Sequence, residues 1–128
     1  MAKSGLENGT LRPCPESPNC VSSLSSDAVH GIEALTYKGD EAEGMRLLKE
    51  AMEQLPRTSI VTEEGRYLHV EFTTRIMRFV DDVEFLIAPG GGRIDVRSAL
   101  RVGYGDMGAN RKRVEEIRAV LAELSQQQ

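Results

Sequence analysis

YLHVEFTTRIMRFVDDVEFLIAPGGGRIDVRSAL, residues 67–100, contains three runs in which apolar and polar side chains alternate. Leu68, Val70 and Phe72 alternate with His69 and Glu71. Val83, Phe85 and Ile87 alternate with Glu84 and Leu86, and Ile94, Val96 and Ser98 with Asp95, Arg97 and Ala99. Successive side chains of a strand point to opposite faces, so a period of two marks a sheet with one face on a core and one polar face. The PGGG stretch at 89–92 separates the second run from the third and reads as a turn. Upstream, Thr58–Thr62 is short and β-branched, and EEGR follows it as another turn. The pattern predicts an antiparallel meander.

Helices flank the meander. In KGDEAEGMRLLKEAMEQLP, residues 38–56, Met45, Leu48, Met52 and Leu55 recur at helical spacing. Asp40 is placed to cap the start and Pro56 to stop the end. Val114, Ile117, Leu121 and Leu124 give a second apolar stripe. Each stripe needs a surface to cover, so both helices are expected on one face of the sheet. The expected fold class is α+β, a two-layer sandwich with four to five meander strands. A weak strand is expected within Ile32–Tyr37. Residues 1–26 show neither periodicity and read as an irregular arm packed on the domain. Residues 27–128 read as a single α+β domain.

The chain has 128 residues, 40% hydrophobic and 28% charged, which suits one globular domain rather than a disordered segment. It has no Trp, three Tyr and three Phe, so its core must be aliphatic. A net charge of −4 argues against nucleic acid as the partner. No apolar run approaches the ~18 residues of a membrane span, so no transmembrane segment is expected. The N-terminal MAKSGLENGT lacks the apolar stretch of a secretory signal. The chain as given is therefore expected to be soluble and cytoplasmic, or periplasmic or envelope-associated if a leader has been removed. Its oligomeric state is left unassigned.

Against the acidic background, RSALRVGYGDMGANRKRV at 97–114 gathers Arg97, Arg101, Arg111, Lys112 and Arg113 around one acid, Asp106. Arg111, Lys112 and Arg113 fall in the first turn of the last helix, where the dipole disfavours cations. Carboxylates on neighbouring strands (Asp81, Asp82, Glu84, Asp95) could neutralise them, and so could a bound anion held with helix amides. By strand parity Arg97 shares its face with Asp95, Asp82 and Glu84. Four carboxylates are too few for five cations, which leaves positive charge over. Asn110 continues the apolar stripe inward, so it must find hydrogen-bond partners, with the GYGDMG loop as the expected one.

No nucleophile elbow, phosphate loop or metalloprotease helix occurs, and no catalytic residue, metal ligand or cofactor is nominated. Asp81 and Asp82 are adjacent strand residues pointing to opposite faces, which makes them a poor acid dyad. Cys14 and Cys20, six positions apart in CPESPNC, are open to several readings: a disulfide, two unpaired structural thiols, a metal pair or a redox pair. The spacing is wrong for the last two.

Three ordered motifs, CPESPNCVSS, RFVDDVEF and VRSALRVGYGDMGANRKRVEEIR, resemble the domain-of-unknown-function family 1499 from about Leu11 to Leu124. The resemblance implies a bacterial or plastid family, with many envelope or lumenal members and no established activity. It groups Cys14, Pro15, Pro18, Asn19, Cys20, Ser22 and Ser23 into one signature. Asp81, Asp82, Arg97, Ser98, Arg101, Gly103, Asp106, Gly108, Asn110 and Arg111 belong to the others. Anchored relatives favour the disulfide. The expected function is a non-catalytic binding domain for a small anion or an acidic, carboxylate-bearing peptide. Arg97, Ser98, Arg101, Asp106, Asn110, Arg111 and Arg113 would form its site, with the arm folded back so that Asn19 and Ser22 cap a pocket. The alternatives are a cysteine-dependent enzyme and a purely structural envelope domain.

Overall fold

The computed structural model describes residues 3–101 and 108–127. The elements in order are β1 (Leu6–Glu7), β2 (Thr10–Leu11), β3 (Cys20–Ser22), β4 (Leu35–Thr36), α1 (Glu41–Gln54), β5 (Thr58–Glu64), β6 (Tyr67–Thr73), β7 (Val80–Ile87), β8 (Arg93–Leu100) and α2 (Ala109–Gln126). β5 to β8 form the antiparallel meander, and β3 and β4 both pair with the free edge of β8. The architecture is α+β, with a six-stranded sheet in place of the four to five strands expected. β4 falls inside the weak strand expected at Ile32–Tyr37, whereas β3, three residues long, is too short to display a period and was not distinct in the sequence.

Local chemistry sets the helix ends. The Asp40 carboxylate accepts the Glu43 amide at 2.9 Å, and Leu55 turns to extended backbone before Pro56. Met45, Leu47, Leu48, Ala51 and Met52 on α1 and Val114, Ile117, Leu121 and Leu124 on α2 are buried in one cluster with the sheet. That cluster takes Leu68, Val70 and Phe72 from β6, Val83, Phe85 and Ile87 from β7, and Ile94 and Val96 from β8. Both helices therefore cover one face. The β7–β8 turn docks on the start of α1, where Gly90 donates to Glu41 Oε2 at 2.8 Å. Gly91 there has φ 90°, and a Cβ on it would collide with the backbone of Gly39 and Asp40.

The register places Phe72 with Asp81, and Val70 with Val83, Ser98 and Val21, on the helix side. Tyr67 with Leu86 and Asp95 lies on the other side, as do His69–Glu84–Arg97–Ser22 and Glu71–Asp82–Ala99–Cys20. This second face is polar as expected, yet it is not open to water. The N-terminal segment lies across it, with Leu11 packed against Tyr67 and Leu86 in a small cluster of its own.

Candidate functional site

Under that segment sits an ion pair with almost no exposure, Arg97 at 1% and Glu84 at 0%. Arg97 donates to Glu84 Oε1 at 3.1 Å and to the Pro13 carbonyl at 3.3 Å. Glu84 Oε2 accepts from the Tyr67 hydroxyl at 2.5 Å and from the Gly5 amide at 2.8 Å. Burial pushes the Tyr67 hydroxyl up from its usual pKa, and the neighbouring Glu84 carboxylate adds to the effect. Arg97 Nε has no hydrogen-bond partner among the described residues. This pair bonds the arm to the sheet. It is closed off from ligands by the same contacts.

Two residues along, Asp82 gathers His69 Nε2 at 2.8 Å and Arg101 in a bidentate contact, Nε at 3.0 Å and Nη2 at 2.6 Å. Arg101 also reaches Glu71 at 2.6 Å. Burial disfavours the Asp82 anion, but the bonds from His69 and Arg101 outweigh it and pull its pKa down to about 2. Arg101 is held well above its usual value by the same two carboxylates. Asp81, one residue earlier, points to the helix side and meets Arg113, whose guanidinium also stacks 5.1 Å from the Phe72 ring centre. Asp81 and Asp82 thus serve opposite faces.

Asn110 is fully buried at the start of α2 and bridges β8 and the residue just before β3. It accepts from the Ser98 hydroxyl at 2.6 Å and donates to the Asn19 carbonyl at 3.0 Å. The sequence reading assigned it to the GYGDMG loop; Asp106 and most of that loop lie outside the described residues. The cysteine signature is likewise spent on the sheet. Asn19 accepts the Leu100 amide at 2.9 Å and Ser23 accepts that of Val96. The Ser22 hydroxyl accepts the Leu24 amide. Cys14 and Cys20 are joined in a disulfide, which pins the arm to β3. Sequence reasoning passed over His30, whose ring bridges Asp27 at 2.7 Å and the Ser17 carbonyl at 3.0 Å.

The nominated arginines are therefore not gathered around one pocket. Arg97 and Arg101 lie beneath or beside the arm, and Arg113 turns to the helix side. Arg111 goes elsewhere: it donates only to the Ala28 and Val29 carbonyls, at 3.4 and 3.2 Å, and meets no carboxylate among the described residues. It lines an open cleft of about 700 Å³ between the 23–34 segment, the start of β8 and the first turns of α2. Ser25, Ser26, Thr36 and Arg93 share the lining, with Asp27, Glu33 and Glu115. Two of these acids are engaged, Asp27 with His30 and Glu115 with Arg118. No cluster of three or more His, Cys, Asp or Glu suited to a metal occurs among the described residues. Nor is any described helix long and apolar enough to cross a membrane.

A protein-family model described as "Protein of unknown function (DUF1499)" matches residues 10–121. No curated protein matches the chain.

Proposed function

The chain belongs to that family, whose description carries no activity, and we propose from the site alone that it is a non-catalytic binding domain for a small anion or an acidic, carboxylate-bearing peptide. Arg111 is the anchoring cation. The observation that carries this reading is its guanidinium, oriented by two backbone carbonyls at the rim of the cleft while Arg97, Arg101 and Arg113 are each held by protein carboxylates. A planar fork with donors to spare suits a carboxylate or phosphate group. Hydroxyls of Ser25, Ser26 and Thr36 supply neutral donors beside it. The acids in the lining disfavour highly charged polyanions and suit a singly or doubly charged group.

Thermal unfolding in sulfate, phosphate or acetate, against NaCl of equal ionic strength, tests the reading. At an anion concentration ten times Kd, mass action adds about 1.4 kcal/mol and raises Tm by roughly 5 °C. Arg111→Ala should abolish the shift and Arg111→Lys should keep part of it, since the charge survives and the fork does not. A wild-type Tm that follows ionic strength alone would remove the reading.

A second reading, a structural envelope domain, draws on a different observation. Asn19, Ser22, Ser98, Asn110, Arg97 and Arg101 all have partners inside the fold, so the motifs are accounted for as sutures. The absence of any anion effect would favour it. A cysteine-dependent enzyme would first need the Cys14–Cys20 bond reduced, because a disulfide sulfur is not a thiolate nucleophile.

A further inference from the structure

The hairpin turn between β6 and β7, residues 74–79, has the sequence TRIMRF. Ile76 is 85% exposed, Met77 66% and Phe79 48%. None of the three belongs to a core cluster, so folding does not account for them. Arg75 and Arg78 stand exposed among them, with no hydrogen bond or ion pair to any described residue. The turn is nonetheless well built. Thr74 and Phe79 close its base with two bonds of 2.8 Å, and Arg78 takes the left-handed φ of 60° that the reversal needs.

We propose that this turn is an interfacial anchor that docks the protein on an anionic lipid surface. The charge around it fits that occupant. Arg57, which donates to the Thr73 carbonyl, and Lys112 on the first turn of α2 lie at the same end of the sheet. Among the described residues the acids of this end include Glu71, Asp81 and Asp82, all bonded to Arg101 or Arg113, and the exposed Glu116 and Glu53, the latter beside Arg57. The whole chain carries −4, so an anionic surface repels most of the molecule and attracts this end. The charge would therefore orient the domain as well as hold it. A protein partner fits less well, because a stable interface covers about 800 Å² on each side and needs a broad patch or groove. Three apolar side chains on a convex tip, flanked by arginines, suit shallow insertion at the headgroup boundary. The anchor is separate from the Arg111 cleft and stands or falls without it.

Co-sedimentation of the full chain with vesicles of phosphatidylserine and phosphatidylcholine in a one-to-three mix, and with pure phosphatidylcholine, tests this. Binding is expected to the anionic vesicles and to weaken with salt. Arg75→Gln/Arg78→Gln should lower the partition coefficient about thirtyfold. Ile76→Ser/Met77→Ser should lower it at least about tenfold, with Tm unchanged because neither side chain packs in the core. The chain has no Trp, so Phe79→Trp installs a single reporter whose emission should shift to the blue on anionic vesicles. Equal binding to both vesicle types, or undiminished binding by the variants, would overturn the proposal. So would a change of oligomeric state in the Ile76→Ser/Met77→Ser variant without lipid, which would make the tip a protein contact.

Discussion

Replacing Arg97 by Leu tests whether a cation nominated for ligand binding is structural. The change removes the Glu84 bond at 3.1 Å and the Pro13 bond at 3.3 Å, and leaves Glu84 as a fully buried carboxylate. Breaking one side of a buried pair generally costs 3–5 kcal/mol, because the remaining charge has lost its compensation. Here Glu84 keeps the Tyr67 hydroxyl and the Gly5 amide, both of which favour its anion, so about 3 kcal/mol is expected. That is a large part of the ~5–15 kcal/mol of a typical domain. Urea unfolding followed by far-ultraviolet circular dichroism reads it directly. Arg97→Leu/Glu84→Gln removes the stranded charge while keeping an acceptor for Tyr67 and Gly5, and should recover at least about 1 kcal/mol. Amide exchange should quicken first in residues 5–13, since both lost bonds and both kept ones involve the arm or its neighbours. The variant should still show the anion-dependent rise in Tm attributed to Arg111. A loss below about 1 kcal/mol, or a double variant no more stable than the single, would refute the account of Arg97 as a buried suture.

Reduction of Cys14–Cys20, or Cys14→Ser/Cys20→Ser, should cost roughly 2 kcal/mol for so small a loop, and hydrogen exchange should show the loosening concentrated in residues 5–19. His30 should make stability fall above neutrality. Its pKa is raised from 6.5, first by the Ser17 carbonyl and then by Asp27, against the effect of burial. A group favoured as a cation in the folded state contributes fully below its unfolded pKa, and that contribution fades as pH rises through the folded one. His30→Gln should flatten the fall of the urea midpoint as pH rises above 6.5. Asp82 has the opposite sign. Its folded pKa of about 2 against 3.8 gives stability that is present above 3.8 and lost as pH falls towards 2. Asp82→Asn should therefore cost about 2 kcal/mol at neutral pH and leave a shallower acid limb in the unfolding profile.

The alternation at 67–100 exposed the meander because period two is a local property of the backbone, and the stripes on α1 and α2 did the same for the helices. Parity even put Arg97, Asp82 and Glu84 on one face, as the register has them. A polar face, however, reads identically whether water or an arm covers it. That Gly5 and Pro13 would close over Glu84 and Arg97 depends on contacts 79 and 84 residues apart, which no periodicity encodes. The basic stretch misled for a related reason. Residues 97, 101, 111 and 113 are neighbours along the chain, but their places within β8, just past its end and on the first turn of α2 send them to different sides of the sheet. Each then meets what lies there: Glu84, Asp82, backbone carbonyls and Asp81 in turn. Crowded charge in a sequence is thus weak grounds for a shared site until the partners are known. The informative cations are those that no carboxylate holds, and Arg111 at the cleft and Arg75 and Arg78 at the hairpin tip are among them. Burying Arg97 beneath the arm and exposing Ile76 at a turn both run against the usual segregation of charged and apolar side chains. The first is repaid by hydrogen bonds inside the molecule. Nothing among the described residues repays the second, and that asymmetry directs the search for a partner to the tip.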